Sequence, residues 1–274
     1  MSADAQKTMF RPAAPPKPWT RQRIIGWCLV AFWLLVFLAL ALYLYAAYDP
    51  EKFDKYYPKY LSGIGVTLEL VAVSMICGAL LSFLIAYMRM SKNRILSRIA
   101  YAYVYFFRGT PLLAQTFLIY YGFGQFHDQI ESIGLWWFFR DAWNCGVFAF
   151  TLNTAAYQAE ILSGAIQSVG KGQWEGAAAL GVPKHLTFLK IILPQALIVA
   201  LRPYGNELIL MLKGSAVLSL ITVYDLMGET RRAFSRGYDF QMYIWAAVIY
   251  FAMVETLRNI WDAMERRLTR HLIR

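Results

Sequence analysis

Polar side chains set into long apolar runs mark where this sequence could do chemistry. Asn153, Tyr157, Glu160 and Gly164 recur at i, i+4, i+7 and i+11 within the run at 142–165, so a helix there carries all four on one face. An amide, a phenol and a carboxylate on one stripe suit recognition of a cationic side chain or an α-amino group. Other readings stand beside that one. Asn153 could simply hydrogen-bond a neighbouring helix, and Glu160, toward the end of its run, could snorkel to the interface.

Two further runs hold comparable groups. Arg108, Gly109, Thr110 and Pro111 interrupt the run at 99–122, leaving backbone groups that only protein or a water-lined cavity can satisfy. Broken helices of this kind often mark a substrate path, and Thr110 and Gln115 could bind the carboxylate or amine of a zwitterion. The alternative is a proline kink whose Arg108 pairs with a nearby acid. The run at 194–222 contains Arg202, Asn206, Glu207 and Lys213. Asn206 and Lys213 share a face, and a Lys213–Glu160 pair across helices would neutralise both charges. The chain offers neither His-Glu-x-x-His nor a serine paired with His or Lys at membrane depth, which argues against an intramembrane enzyme. His127, His185 and His271 lie too far apart for a metal site, and Cys28, Cys77 and Cys145 read as small apolar fillers.

These residues need helices in lipid to position them. The 274-residue chain is 58% hydrophobic and 16% charged, too apolar for an ordinary soluble domain. Its charge of +10 falls in short clusters beside apolar runs, which fits lipid headgroups and the positive-inside rule better than nucleic acid. Residues 1–23 are Pro-rich, polar and basic and read as a disordered cytoplasmic tail. Apolar runs at 24–47, 62–88, 99–122, 142–165, 194–222 and 240–262 each approach or exceed the ~20 residues that cross a bilayer. The expectation is an all-α polytopic membrane protein with six transmembrane helices. Basic clusters at Lys7–Arg23, Arg89–Arg98, Lys171–Lys190 and Arg266–Arg274 place both termini in the cytoplasm, with Trp136, Trp137 and Trp143 at the outer interface.

One cytoplasmic loop, at about 166–194, is unlike a connector. Gly176, Ala177, Ala178 and Ala179 make a short helix almost without side chains, suited to close approach by another backbone. Gly181 ends it and Pro183 pre-sets the next helix. There Leu186, Phe188, Leu189 and Ile192 give an apolar side while Lys184 and Lys190 stay wet. Glu175, Ala177, Gly181, Ile191, Leu193 and Pro194 match the E-A-A-x3-G-x9-I-x-L-P signature, with Gly176 in place of the first alanine. The chain thus resembles the permease subunits of bacterial ABC importers. The segments FRGTPLLAQ at 107–115 and TLNTAAYQAEILSGAIQSV at 151–169 are similar to its polar amino acid branch, histidine and octopine type, over the stretch from Tyr57 onward.

That resemblance implies a five-helix permease domain at 57–274, to which residues 24–47 add one helix. It implies translocation of a polar, basic amino acid or opine across the bacterial inner membrane, beside a second permease subunit, two cytoplasmic ATPase subunits and a periplasmic solute-binding protein. Glu175, Gly176, Ala177, Gly181, Pro183, Leu193 and Pro194 would form the ATPase-coupling elbow. The chain should hold no cofactor itself, ATP and magnesium belonging to the partner, since SVGKGQW lacks what a phosphate loop needs. A secondary, ion-coupled transporter is the rival, though no inverted repeat with paired broken helices is present.

Overall fold

The computed structural model describes residues 19–270, and the expected tail falls largely on residues outside them. The chain divides into two units, 1–50 and 51–274. In the first, α1 (Arg21–Ala46) is capped by Thr20, whose hydroxyl accepts from Arg23 N at 3.3 Å, and it buries no residue. A helix apolar all round that buries no residue is built for lipid or for another subunit.

The second unit is a helical bundle around α7 (Ala142–Ser168). Before it come α2 (Pro50–Arg89), α3 (Arg94–Gly109), α4 (Leu112–Phe117) with a π turn at Leu118–Gly122, and two short helices, α5 (His127–Ser132) and α6 (Trp136–Phe139). After it come α8 (Lys171–Ala179), α9 (Lys184–Thr187), a second π turn at Phe188–Ile192, α10 (Leu193–Gly214), a 3₁₀ segment at Ser215–Ile221, α11 (Leu226–Gly237) and α12 (Gln241–Thr269). Each expected run is largely helical, the one at 99–122 with a break at Thr110 and Pro111. Among the described residues three helical stretches, Arg21–Ala46, Pro50–Arg89 and Lys184–Ile221, are long and apolar enough to cross a membrane by length and composition.

α7 packs against α3, α4 and α10, and α10 also against α12. Small side chains let these helices approach closely where polar groups must meet. Ala155, Ala156 and Ala159 of α7 face Ala196 and Ala200 of α10, Ala100 and Val104 of α3, and Ile85 and Ala86 of α2 in one core cluster. At two crossings even a methyl group would not fit: a Cβ on Gly78 would strike Thr154, and one on Gly205 would strike the Trp261 ring. Toward the far end, Phe150, Leu212, Leu218 and Ile221 build a second cluster with Leu70 and Val71.

Candidate functional site

The break between α3 and α4 is where the polar groups gather. α3 ends at Gly109, Thr110 turns extended at φ −114° and ψ 148°, and Pro111 opens α4. This leaves the Phe107 carbonyl short of a helical donor, and two side chains supply it. Gln115 Nε2 donates to Phe107 O at 2.9 Å and to Thr110 Oγ1 at 2.7 Å. From α7, Asn153 Nδ2 donates to the same carbonyl at 3.1 Å and to Gln115 Oε1 at 2.9 Å. Gln115 and Asn153 are both buried. The structure therefore brings Thr110, Gln115 and Asn153 together as a network that holds the break open.

One turn further along α7, Tyr157 and Glu160 meet charges from two other helices. Glu160 is held by Arg89 at the end of α2 and by Arg108 at the end of α3, the latter at 3.1 Å. The Arg108 guanidinium also lies over the Tyr157 ring, 5.3 Å from its centroid. Of the two pairings the sequence leaves open, the structure forms the one between Arg108 and a nearby acid, with Glu160 as that acid, and not the one with Lys213. Glu160 is not a lone carboxylate awaiting a partner, and among the described residues no ion pair joins it to Lys213. Arg89 and Glu160 each lie near the same end of their runs, so depth brings them together, whereas Lys213 sits at the far end of α10.

A neighbouring stripe of α7 carries groups that periodicity did not single out. Thr154 donates to Glu207 Oε1 at 2.9 Å, and Gln158 Nε2 donates to Thr154 Oγ1 at 3.1 Å and to Met75 O at 3.2 Å. Glu207 is 5% exposed. Among the described residues no ion pair joins it to a basic side chain. The i, i+4 spacing of Thr154 and Gln158 was the available signal, and it lies one residue off the stripe through Asn153 and Tyr157. Asn206, next to Glu207, points elsewhere. It is exposed and lines a groove of about 400 Å³ between α10 and α12 with Arg202, Arg258, Trp261 and Glu265. Adjacent helix residues diverge by about 100°, so Asn206 does not join the other candidate residues.

The elbow forms as two helices around a left-handed glycine. Gly181 N donates to Ala178 O and Val182 N to Ala177 O, both at 3.0 Å, with Gly181 at φ +70°, the bonding of a Schellman cap. Pro183 then caps α9, and Pro194 sits in the first turn of α10. Glu175, Gly176, Ala178 and Leu180 are exposed while Ala177 is buried. The second helix does not bury a single apolar side. Ile192 is buried and Phe188 half-buried, but Leu186 and Leu189 face out, because the π turn adds a residue and rotates the stripe. Leu180, Leu186 and Leu189 thus leave apolar surface exposed on the loop.

Residues 78–274 match the model of the family described as binding-protein-dependent transport system inner membrane component. The chain belongs to this family. It is 42% identical over 225 residues to the nopaline transport system permease protein of Agrobacterium fabrum, covering 82% of this chain and 93% of that one. It is 40% identical over 187 residues to the arginine ABC transporter permease protein of Haemophilus influenzae, covering 68% and 82%. A solved amino acid ABC transporter, crystallised with histidines, superposes with a TM-score of 0.70 at 36% identity over 81% of this chain and 99% of that one. The chain is accordingly a permease subunit of an importer, and nothing supports an ion-coupled carrier in its place. Its elbow occupies the matched region together with the α3–α4 side of α7.

Proposed function

We propose that this permease subunit passes a basic amino acid, or an opine built on one, across the bacterial inner membrane. One observation carries the substrate class: Glu207 is a buried carboxylate at membrane depth that hydrogen-bonds Thr154 and has no basic partner at ion-pair distance among the described residues. A carboxylate so placed favours a cation in transit, and the relatives named for nopaline and arginine fit that reading. Tyr157 and Glu160 line the approach, and the Thr110–Gln115–Asn153 network holds the helix break that bounds it. Asn206 serves the path only from the α10–α12 groove.

In this reading the chain crosses the membrane six times with both termini inside, α1 being an addition to a five-helix domain at 57–274. A second permease completes the pathway, and a periplasmic solute-binding protein delivers the ligand. Two cytoplasmic ATPase subunits bind ATP and magnesium and grip the elbow at Glu175, Gly176, Ala177, Gly181, Pro183, Leu193 and Pro194. The chain itself holds no cofactor.

Glu207→Gln keeps the Thr154 bond and removes the charge. A charge-assisted hydrogen bond is worth about 1.5–3 kcal/mol, so uptake of a basic amino acid into reconstituted vesicles should fall roughly ten- to a hundredfold while assembly and unstimulated ATP hydrolysis persist. Undiminished uptake would remove Glu207 from the path. Labelling of a cysteine at position 171 from outside intact cells would contradict the topology.

A further inference from the structure

α3 opens with two like charges where a helix least favours them. Arg94 and Arg98 stand in its first two turns, and its sequence, RILSRIAYAYVYFFRG, contains no acid. Cations at i and i+4 repel, and near a helix N-terminus they also oppose the macrodipole. α3 packs on α7, whose one acid, Glu160, is already held by Arg89 and Arg108. Among the described residues no carboxylate stands at ion-pair distance from Arg94, Arg98 or the exposed Lys92 just before them. The amides of the first turn need no anion, because Asn93 Oδ1 accepts from Ile95 N at 2.9 Å and from Leu96 N at 3.4 Å. The guanidinium groups are what lack one.

What continues from these arginines along the helix is apolar and uncovered. Arg94, Arg98, Tyr101 and Tyr105 fall on one narrow stripe at about 100° per residue, with Ile95 and Ile99 at its flank. Tyr101 and Tyr105 stack, their centroids 6.1 Å apart, and all four of these tyrosines and isoleucines are more than half exposed. Ala100 and Val104 turn instead into the core. Cationic heads, then rings, then exposed hydrocarbon follow one another along the helix axis in the order in which a phospholipid presents phosphate, glycerol and acyl chain.

We propose that Arg94 and Arg98 bind the phosphate of an anionic phospholipid of the cytoplasmic leaflet, with Lys92 beside it and the acyl chains along the Tyr101–Tyr105 stripe. This rests on the importer reading above, in which the Arg94 end of α3 faces the cytoplasm. A lipid anion between the two guanidinium groups turns their mutual repulsion into a shared attraction, and the length of the apolar stripe within a membrane run selects acyl chains over the polar surface of a soluble protein.

The test uses the full transporter in nanodiscs of phosphatidylcholine, alone or with phosphatidylglycerol added, reading bound lipid by native mass spectrometry and stability by the thermal midpoint. Arg94→Gln and Arg98→Gln should each weaken retention of phosphatidylglycerol about fivefold, and together roughly thirtyfold. In phosphatidylcholine alone the double variant should be at least as stable as the unaltered complex, because it relieves the i, i+4 repulsion. It should lose the rise in midpoint that phosphatidylglycerol gives the unaltered complex, whereas lysine at both positions should keep it. Equal retention and an equal rise in the Gln variant overturn the proposal. So does the same rise with inorganic phosphate in phosphatidylcholine discs, which marks a free-anion site. Release of the ATPase or the second permease from the Gln variant marks a protein contact and overturns it too. Should the double variant be too poorly expressed to purify, the single variants decide by the same criteria. Lipid retention that depends on these arginines in a complex that imports no amino acid keeps the lipid site and overturns the importer reading.

Discussion

Asn153 Nδ2 donates to Gln115 Oε1 at 2.9 Å, and both side chains also donate to the carbonyl of Phe107. Two helices and a break are thereby closed into one hydrogen-bonded unit. Losing either donor strips a buried polar group of its partner, which costs about 1–3 kcal/mol. Asn153→Ala and Gln115→Ala should each lower the thermal midpoint of the purified complex. Because they share one carbonyl and each other, the double variant should lose less than the two single losses combined. Strict additivity in that cycle would show that the network is not a unit.

Glu160 makes a clasp between α2, α3 and α7 through Arg89 and Arg108. Its side chain is 37% exposed, so the clasp is worth less than a fully buried pair. Glu160→Gln should destabilise the complex by roughly 1–2 kcal/mol and slow transport, with Arg89→Gln giving a similar loss. Adding Lys213→Met should restore nothing. Recovery of assembly and transport in the Glu160→Gln, Lys213→Met double variant would revive the pairing that the structure rejects.

The helices and the α3–α4 break were legible in the sequence because apolar length and the Gly-Thr-Pro string act locally. Partner choice was not. Glu160 found Arg89 rather than Lys213 because depth along antiparallel helices decides which charges meet, and a helical wheel shows direction without depth. Asn153, Tyr157 and Glu160 share one stripe of α7, as their spacing dictates, yet Thr154 on the stripe beside it binds Glu207. Both stripes obey the same period, and only the packing of α10 distinguishes them. The rotation of Leu189 outward escaped for a different reason, since a π turn breaks the period that the reading assumed.

Asp225 supplies a pH test outside the spans. It caps α11 by accepting from Gly228 N at 2.8 Å, receives Tyr250 OH at 3.2 Å, and is fully buried. Burial pushes its carboxyl up to about 6. The folded state thus holds its proton more tightly than the unfolded chain, whose value is ordinary, so this contribution to stability is present below about pH 4 and is lost as pH rises through 6. Asp225→Asn keeps an oxygen for the cap and cannot ionise. Its thermal midpoint should vary less between pH 4 and 7 than that of the unaltered protein, with a gain at pH 7 on the order of 1–3 kcal/mol. An identical pH profile in the two proteins would show that Asp225 does not titrate in this window.

Gly176 and Gly181 lie five residues apart in the elbow and should respond in opposite ways. A Cβ at Gly176 meets open space, and alanine is the better helix former, so Gly176→Ala should stabilise α8 by about 0.5–1 kcal/mol. Gly181 also has open space around it but sits at φ +70°, where an L side chain is strained by roughly 1–2 kcal/mol. Gly181→Ala therefore taxes the Schellman turn itself and tilts α8 against α9. If the elbow couples this permease to its ATPase, ATP hydrolysis by the Gly181→Ala complex should continue while uptake per ATP falls severalfold, and Gly176→Ala should keep full coupling. The contrast separates geometry from bulk, because both variants add the same methyl group to exposed backbone. Equal coupling in the two would mean that the left-handed turn is dispensable, and that the partner reads only the side chains of the loop.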